Sequence, residues 1–412
     1  MKIPSIALLL LMSLVLHAED WTPVKDESKD PSINGREMET FQHGVKPEWG
    51  YAAPQQDTFI VVHPKMDRKN APLYVVLHSA GHDVVSCVNC TKTVGNHDIY
   101  RSPDDYYALY LDCRKNKGDW WWGGMHLKDA GLIAKNSGGD PMPVEKRVID
   151  TVKWVMKKYE IDPNRVYLCG NSMGGSGTLG IGMRNGNLFA AIKANVPAGI
   201  EHVSNRMYFP PQTVPEKGKL PDPPVCVDYS AQNDGWSAGH ERFVQAMNER
   251  KYALYFYWGP FGHANNTANI MKVNDLIDSF DWLGVRKNEP YAAFTNATGN
   301  SKLPWPDDLK DGAAGQINAF FRWKNISDTP DKIEMALFLV SAADLPTKFE
   351  IPREASADVT LRRLQNFRLQ PGGKFQWTFG AAKGEGQADG QGIITIPGLK
   401  ITGEPATLAV RK

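Results

Sequence analysis

The chain has 412 residues, with 47 basic and 46 acidic side chains and a net charge of +1. That balance leaves no electrostatic footprint for nucleic acid and none for an anionic membrane surface. Hydrophobic residues make up 42% and aromatics 10%, enough for well-packed cores, and the length exceeds one typical core, so two domains are expected.

Residues 1–18 read as a secretory signal. Lys2 supplies the positive start, residues 6–16 form an apolar run broken only by Ser13, and His17-Ala18 precede acidic Glu19-Asp20. The run is too short to span a bilayer, and no later stretch is long enough. The expectation is cleavage after Ala18 and a secreted or periplasmic product with no membrane association afterwards. Residues 19–54, an N-terminal extension, are polar and proline-bearing, and their pattern carries little information.

From residue 55 to 295 strand and helix signals alternate. Residues 58–63 (TFIVVH), 73–78 (LYVVLH) and 106–111 (YYALYL) are strand-like. After the second of these comes His78-Ser79-Ala80-Gly81-His82, whose small residues let a backbone approach a bound carbonyl; the two histidines are expected to hold the loop. Cys87, Cys90, Cys113, Cys169 and Cys226 are the cysteines, an odd number. Cys169 and Cys226 lie in apolar strand patterns and should be buried. Cys87-Val88-Asn89-Cys90 has no second C-x-x-C or H-x-x-x-H to complete a zinc site, so a loop disulfide among Cys87, Cys90 and Cys113 is expected, and neither metal nor cofactor.

Trp120-Trp121-Trp122 precede Gly123-Gly124 in a loop after the third strand. Three consecutive indoles cannot all enter one core, so they are candidates for a flat stacking surface, or else pin the loop to the protein. A helix is predicted over 144–159 from the spacing of Val144, Val148, Val152, Val155 and Tyr159, and Asp162-Pro163 stops it.

The next strand, 165–169, runs into Gly170-Asn171-Ser172-Met173-Gly174-Gly175. An apolar strand entering G-x-S-x-G before a helix is the pattern of a nucleophile elbow, which pushes a serine hydroxyl outward on a strained backbone. Such a serine needs a base, and the base needs an acid, in the chain order Ser, Asp, His, each at a strand end. After the strand 225–229 comes Asn233-Asp234-Gly235-Trp236; after 253–258 comes Gly259-Pro260-Phe261-Gly262-His263. Asp234 and His263 are therefore the candidate partners of Ser172. Asp228, inside its strand, and His240, inside a predicted helix 239–250, compete with them less well. The oxyanion hole is expected from the backbone N–H of Met173 and of Ala80, with Ser79 next in line. Trp236 is a further candidate for substrate stacking. With strand 190–196, these near-continuous apolar strands separated by helices define an α/β unit: a mostly parallel sheet covered by helices on both faces.

Beyond residue 300 the texture changes. Residues 316–323, 333–340, 359–369, 375–379, 392–396 and 406–410 are strand candidates without helices between them, separated by turns such as Pro371-Gly372-Gly373. A C-terminal β-sandwich over 300–412 is expected, without an internal disulfide because it contains no cysteine.

Asp162-Pro163-Asn164-Arg165-Val166-Tyr167, the elbow, Asn233-Asp234-Gly235 and Gly262-His263 together resemble exported α/β-hydrolase esterases of the feruloyl, acetyl-xylan and polyhydroxybutyrate-depolymerase type. The resemblance covers residues 55–290. It implies an α/β-hydrolase fold, a triad on Ser172, Asp234 and His263, and acyl groups on polysaccharide or oligosaccharide as substrate. Two departures stand out: Ser79-Ala80 where such enzymes often have glycines, and the added β-domain. A related serine peptidase and a catalytically silent carbohydrate-binding homologue are the competing expectations.

Overall fold

The computed structural model describes residues 21–44, 46–51, 57–66, 68–113, 121, 141–208, 222–263, 276–305, 314–343, 345 and 349–412. Three strands open it, β1 (Val24–Lys25), β2 (Ser32–Ile33) and β3 (Arg36–Gln42). Then follow β4 (Thr58–Val62), β5 (Leu73–Leu77), helix α1 (Val84–Cys90), β6 (Tyr107–Leu111), α2 (Pro143–Lys158), β7 (Val166–Asn171) and α3 (Met173–Gly182). The alternation continues through β8 (Ala191–Asn195), α4 (Ile200–Tyr208), β9 (Val225–Ala231), α5 (His240–Glu249) and β10 (Leu254–Gly259). All later strands lack intervening α-helices among the described residues: β11 (Tyr291–Thr295), β12 (Gly315–Ile317), β13 (Phe321–Asp328), β14 (Lys332–Leu339), β15 (Glu354–Arg362), β16 (Lys374–Phe379), β17 (Ala382–Gln387), β18 (Ile394–Thr402) and β19 (Ala406–Arg411).

The main sheet has the order β1-β3-β4-β6-β5-β7-β8-β9-β10-β12, with β2 on β3. Its centre, β6 to β10, is parallel, and its two flanks are antiparallel. Strand order reverses at β5, because β6 lies on one side of it and β7 on the other. This reversal is the topological position at which ligands bind in open α/β sheets. This is a mostly parallel sheet with helices, the α/β-hydrolase arrangement, joined to a separate antiparallel β unit.

Period-two alternation sends each central strand into two different cores. Leu73, Val75 and Leu77 of β5, Val166 and Leu168 of β7, and Leu254, Phe256 and Trp258 of β10 meet the apolar faces of α2 to α5. In α2 that face is the valine row at 144, 148, 152 and 155, all fully buried. Pro143 at its start lacks an N–H that would have no helical partner there, and Lys157 and Lys158 in its last turn suit the negative end of the helix dipole.

The opposite face of the sheet is rich in tyrosine: Tyr74, Tyr167, Tyr229, Tyr255 and Tyr257. It is covered by α1, by the segment 276–284 and by the β unit. Burying a phenol requires a partner for its hydroxyl. Tyr74 donates to the Ile99 carbonyl at 2.7 Å, Tyr255 to Phe321 at 3.0 Å and Tyr257 to Leu276 at 3.3 Å. Tyr74, Tyr255 and Tyr257 thus supply burial and also tie neighbouring segments to the sheet.

The β unit consists of two antiparallel sheets, β11-β15-β18 and β13-β14-β19-β16-β17, whose inward residues share one core. Strands are exchanged between the two halves of the chain. β11 leaves the first half to pair with β15, while β12 returns to pair antiparallel with β10.

The expected disulfide among Cys87, Cys90 and Cys113 is not formed, and all five cysteines are buried free thiols. The C-x-x-C segment is helical rather than a loop. Asp83 and Ser86 form a capping box that starts α1, and the helix turns Cys87 and Cys90 into the core. Burial there pushes both thiols up.

Candidate active site

β7 ends at Asn171, and α3 begins at Met173. The single residue between them, Ser172, has φ 56° and ψ −115°, a conformation that non-glycine residues avoid. Turning this sharply forces backbone against backbone. A Cβ on Gly170 would overlap the carbonyl of Gly174, and a Cβ on Gly174 would overlap the Leu77 carbonyl at the end of β5. Both positions therefore demand glycine. Ser172 N–H is tied to the Asn195 carbonyl at the end of β8, 2.9 Å away, so the strain is held from a neighbouring strand.

β9 delivers Asp234 and β10 delivers His263. Asp234 caps a short 3-10 helix, Gly235–Ser237, by accepting from Trp236 N–H through Oδ1 at 2.9 Å. Its other oxygen, Oδ2, lies 2.6 Å from His263 Nδ1. On the far side of the ring, His263 Nε2 is 2.7 Å from Ser172 Oγ. A carboxylate can only accept, so Nδ1 carries the proton and Nε2 presents its lone pair to the serine hydroxyl. Asp234 is almost fully enclosed, whereas the imidazole is about one-third exposed, with side-chain exposures of 3% and 34%. The carboxylate is thus shielded from water while the imidazole is partly open to it. Asn233 braces the histidine loop, because its Oδ1 accepts from Gly262 N–H at 2.7 Å. Gly262 itself has φ 60°.

The competing pair from the sequence, Asp228 and His240, forms a second, fully buried contact. His240 Nε2 is 3.1 Å from Asp228 Oδ2, and Nδ1 is 2.6 Å from the Ser237 carbonyl. Burial raises the Asp228 carboxyl, with His240 opposing the shift. Ser237 Oγ also donates to the Asp234 carbonyl at 2.7 Å and receives the Trp305 indole N–H at 3.1 Å. This second pair therefore lies beneath the turn that carries Asp234, out of reach of solvent.

The loop after β5 runs along the start of α3, against Gly174. Met173 is the first residue of α3, so its N–H has no partner within the helix. Ser79 N–H is already committed to the Tyr100 hydroxyl at 2.9 Å, and Ala80 is exposed at the loop's bend. His78 holds the loop as expected. Its Nδ1 is 2.9 Å from the Ser79 carbonyl, and its Nε2 accepts from Cys113 N–H at 3.1 Å. Tyr100 and Asn233 are positioning residues that sequence reasoning missed. Nothing local to Tyr100 marks it, whereas Asn233 adjoins the acid.

Among the tryptophans the expectation needs correction. Trp121 is fully buried, stacked edge-on against His78 and donating its indole N–H to the His78 carbonyl at 3.1 Å. It anchors the loop and offers no face to a substrate. Trp120 and Trp122 lie outside the described residues. Trp236 is 51% exposed, two residues from Asp234.

No protein-family model matches the chain, and no curated protein matches it. Solved structures do. FphF, a fluorophosphonate-binding serine hydrolase of Staphylococcus aureus, is 13% identical over 60% of this chain and 98% of its own, with TM-score 0.40. An S-formylglutathione hydrolase from Agrobacterium tumefaciens is 12% identical over 63% and 97%, with TM-score 0.41. A ferulic acid esterase from the anaerobic fungus Anaeromyces mucronatus is 16% identical over 60% and 92%, with TM-score 0.36. At such identities, and with TM-scores below 0.5, these likenesses bear no weight in assigning an activity.

Proposed function

We propose that this protein is a serine ester hydrolase that removes acyl groups from carbohydrate through an acyl-enzyme, and that it acts after export. The observation that carries the reading is the hydrogen-bonded series Ser172–His263–Asp234 on a strained elbow. Ser172 Oγ attacks the ester carbonyl carbon while its proton passes to His263 Nε2. The imidazolium so formed is stabilised by Asp234. The tetrahedral oxyanion is held by the N–H groups of Met173 and Ala80, which face charge that exists only after attack. Collapse breaks the ester C–O bond, and His263 returns the proton to the departing alkoxide. Water then repeats the sequence and frees the acid, restoring Ser172.

The carbohydrate assignment rests on the resemblance of the motifs and on Trp236, whose exposed indole beside the acid suits a sugar ring or an aromatic acyl group. Export rests on residues 1–18. The test is a panel of acetyl, feruloyl and methyl uronate esters alongside peptidyl amides, with wild type and Ser172→Ala compared at equal circular dichroism. Hydrolysis of at least one ester, abolished in Ser172→Ala, is expected. A wild type inert towards every ester, or cleaving peptidyl amides as fast as esters, would overturn the reading.

A further inference from the structure

Away from the triad, three side chains of metal-binding type converge from separate parts of the chain. His82 lies in the loop after β5, Cys90 ends α1 and His97 follows seven residues later. Each offers one ligand atom, and the three atoms lie within 4.8 Å of one another. His82 Nδ1 is 4.0 Å from Cys90 Sγ, and the two imidazole rings are 4.9 Å apart at 56°. Cys90 and His97 are buried, while His82 stands at the boundary with solvent. Asn96 Oδ1 accepts from His97 Nδ1 at 2.8 Å. That bond selects the tautomer with its lone pair on Nε2, the device by which outer partners orient histidine ligands.

We propose that His82, Cys90 and His97 form a binding site for a thiophilic divalent cation of the zinc type, with the fourth position open to water on the His82 side. Two imidazoles and a thiolate are a donor set that zinc favours. Bond lengths of about 2.0–2.3 Å place tetrahedral ligands roughly 3.3–3.7 Å apart. Closing the cluster therefore takes shifts of about an ångström, which the half-exposed His82 side chain can supply. The ion displaces the Cys90 thiol proton, forming one metal–sulfur bond and releasing one proton without redox change, so affinity rises with pH.

The site touches the oxyanion segment at two points. His82 is two residues beyond Ala80, and His97 stacks at 5.1 Å on Tyr100, whose hydroxyl holds Ser79 N–H. A bound ion would fix both ends of that loop.

The test is titration of the full chain with Co2+ as a spectroscopic substitute for Zn2+, together with equilibrium dialysis against Zn2+. One equivalent should bind, with a thiolate-to-cobalt charge-transfer band that Cys90→Ser abolishes. His97→Gln and His82→Asn should weaken binding at least about tenfold. His82→Asn sits outside the core and covers the case in which a buried variant fails to fold. No binding of either ion to wild type, or a band and affinity that survive the substitutions, would overturn the proposal. Neither readout depends on ester hydrolysis, so this inference and the proposed function fail separately.

Discussion

Ser172 occupies a backbone conformation costing about 1–3 kcal/mol, and the two glycines beside it explain how the chain tolerates it. Gly174→Ala would press a methyl group into the Leu77 carbonyl. The expected outcome is a loss of about 3 kcal/mol in urea unfolding, or no soluble protein; an unchanged midpoint would contradict the packing described. Asp234→Asn should leave the fold intact and lower kcat on p-nitrophenyl acetate by on the order of 10^3 to 10^4-fold, with little change in KM. The amide would retain shape but favour the wrong imidazole tautomer. Acid should weaken the fold through other histidines. Burial lowers His43 well below its ordinary 6.5 and His97 to about 4. Between those values and 6.5 the unfolded chain binds protons that the folded chain refuses, so stability should fall as pH drops below about 6.5. Melting temperatures taken from pH 7 to pH 4 check this.

Between elements, the helical layer is pinned by one buried cation. Arg206 of α4 pairs with Glu145 of α2 at 2.5 Å and donates to the Gly180 carbonyl of α3 at 2.9 Å. Arg206→Met would strand a buried carboxylate, and about 3–5 kcal/mol of stability should be lost by urea unfolding. The strands flanking Ser172, Asp234 and His263 were legible in the sequence because long apolar runs and the glycines that end them are local signals. β17 was not. Its sequence, AKGEGQ, has no large apolar side chain, and the rings of Trp377 and Phe375 on β16 cover Gly384 and Gly386 across the ladder. β1 and β2 were missed because each is only two residues long and exists by pairing, and β3 because its sequence, REMETFQ, mixes charged and apolar residues without a strand pattern. Trp121 shows the same limit at the site. Which of three adjacent indoles is buried depends on Gly177 and His78, which leave room for it. His82, Cys90 and His97 match no ligand spacing and meet only through tertiary structure.

At the scale of the molecule, the two halves are stitched rather than tethered. Asn318, between β12 and β13, donates to the carbonyls of Leu254 in β10 at 3.0 Å and Phe294 in β11 at 2.9 Å, joining the main sheet to the β unit. With β11 and β12 exchanged, neither half retains its full complement of strands alone. The protein should therefore unfold in one transition, and Asn318→Ala should lower its midpoint by about 2–3 kcal/mol without splitting it. Two resolved transitions would contradict a shared core. We propose that Ser172, Asp234 and His263, hydrogen-bonded at the C-terminal ends of β7, β9 and β10, act together. That claim is tested most directly by a fluorophosphonate probe with peptide mapping. The account expects one covalent adduct, on Ser172, absent from folded Ser172→Ala and strongly slowed in folded His263→Ala; no adduct on native protein, or one on another serine, would contradict it.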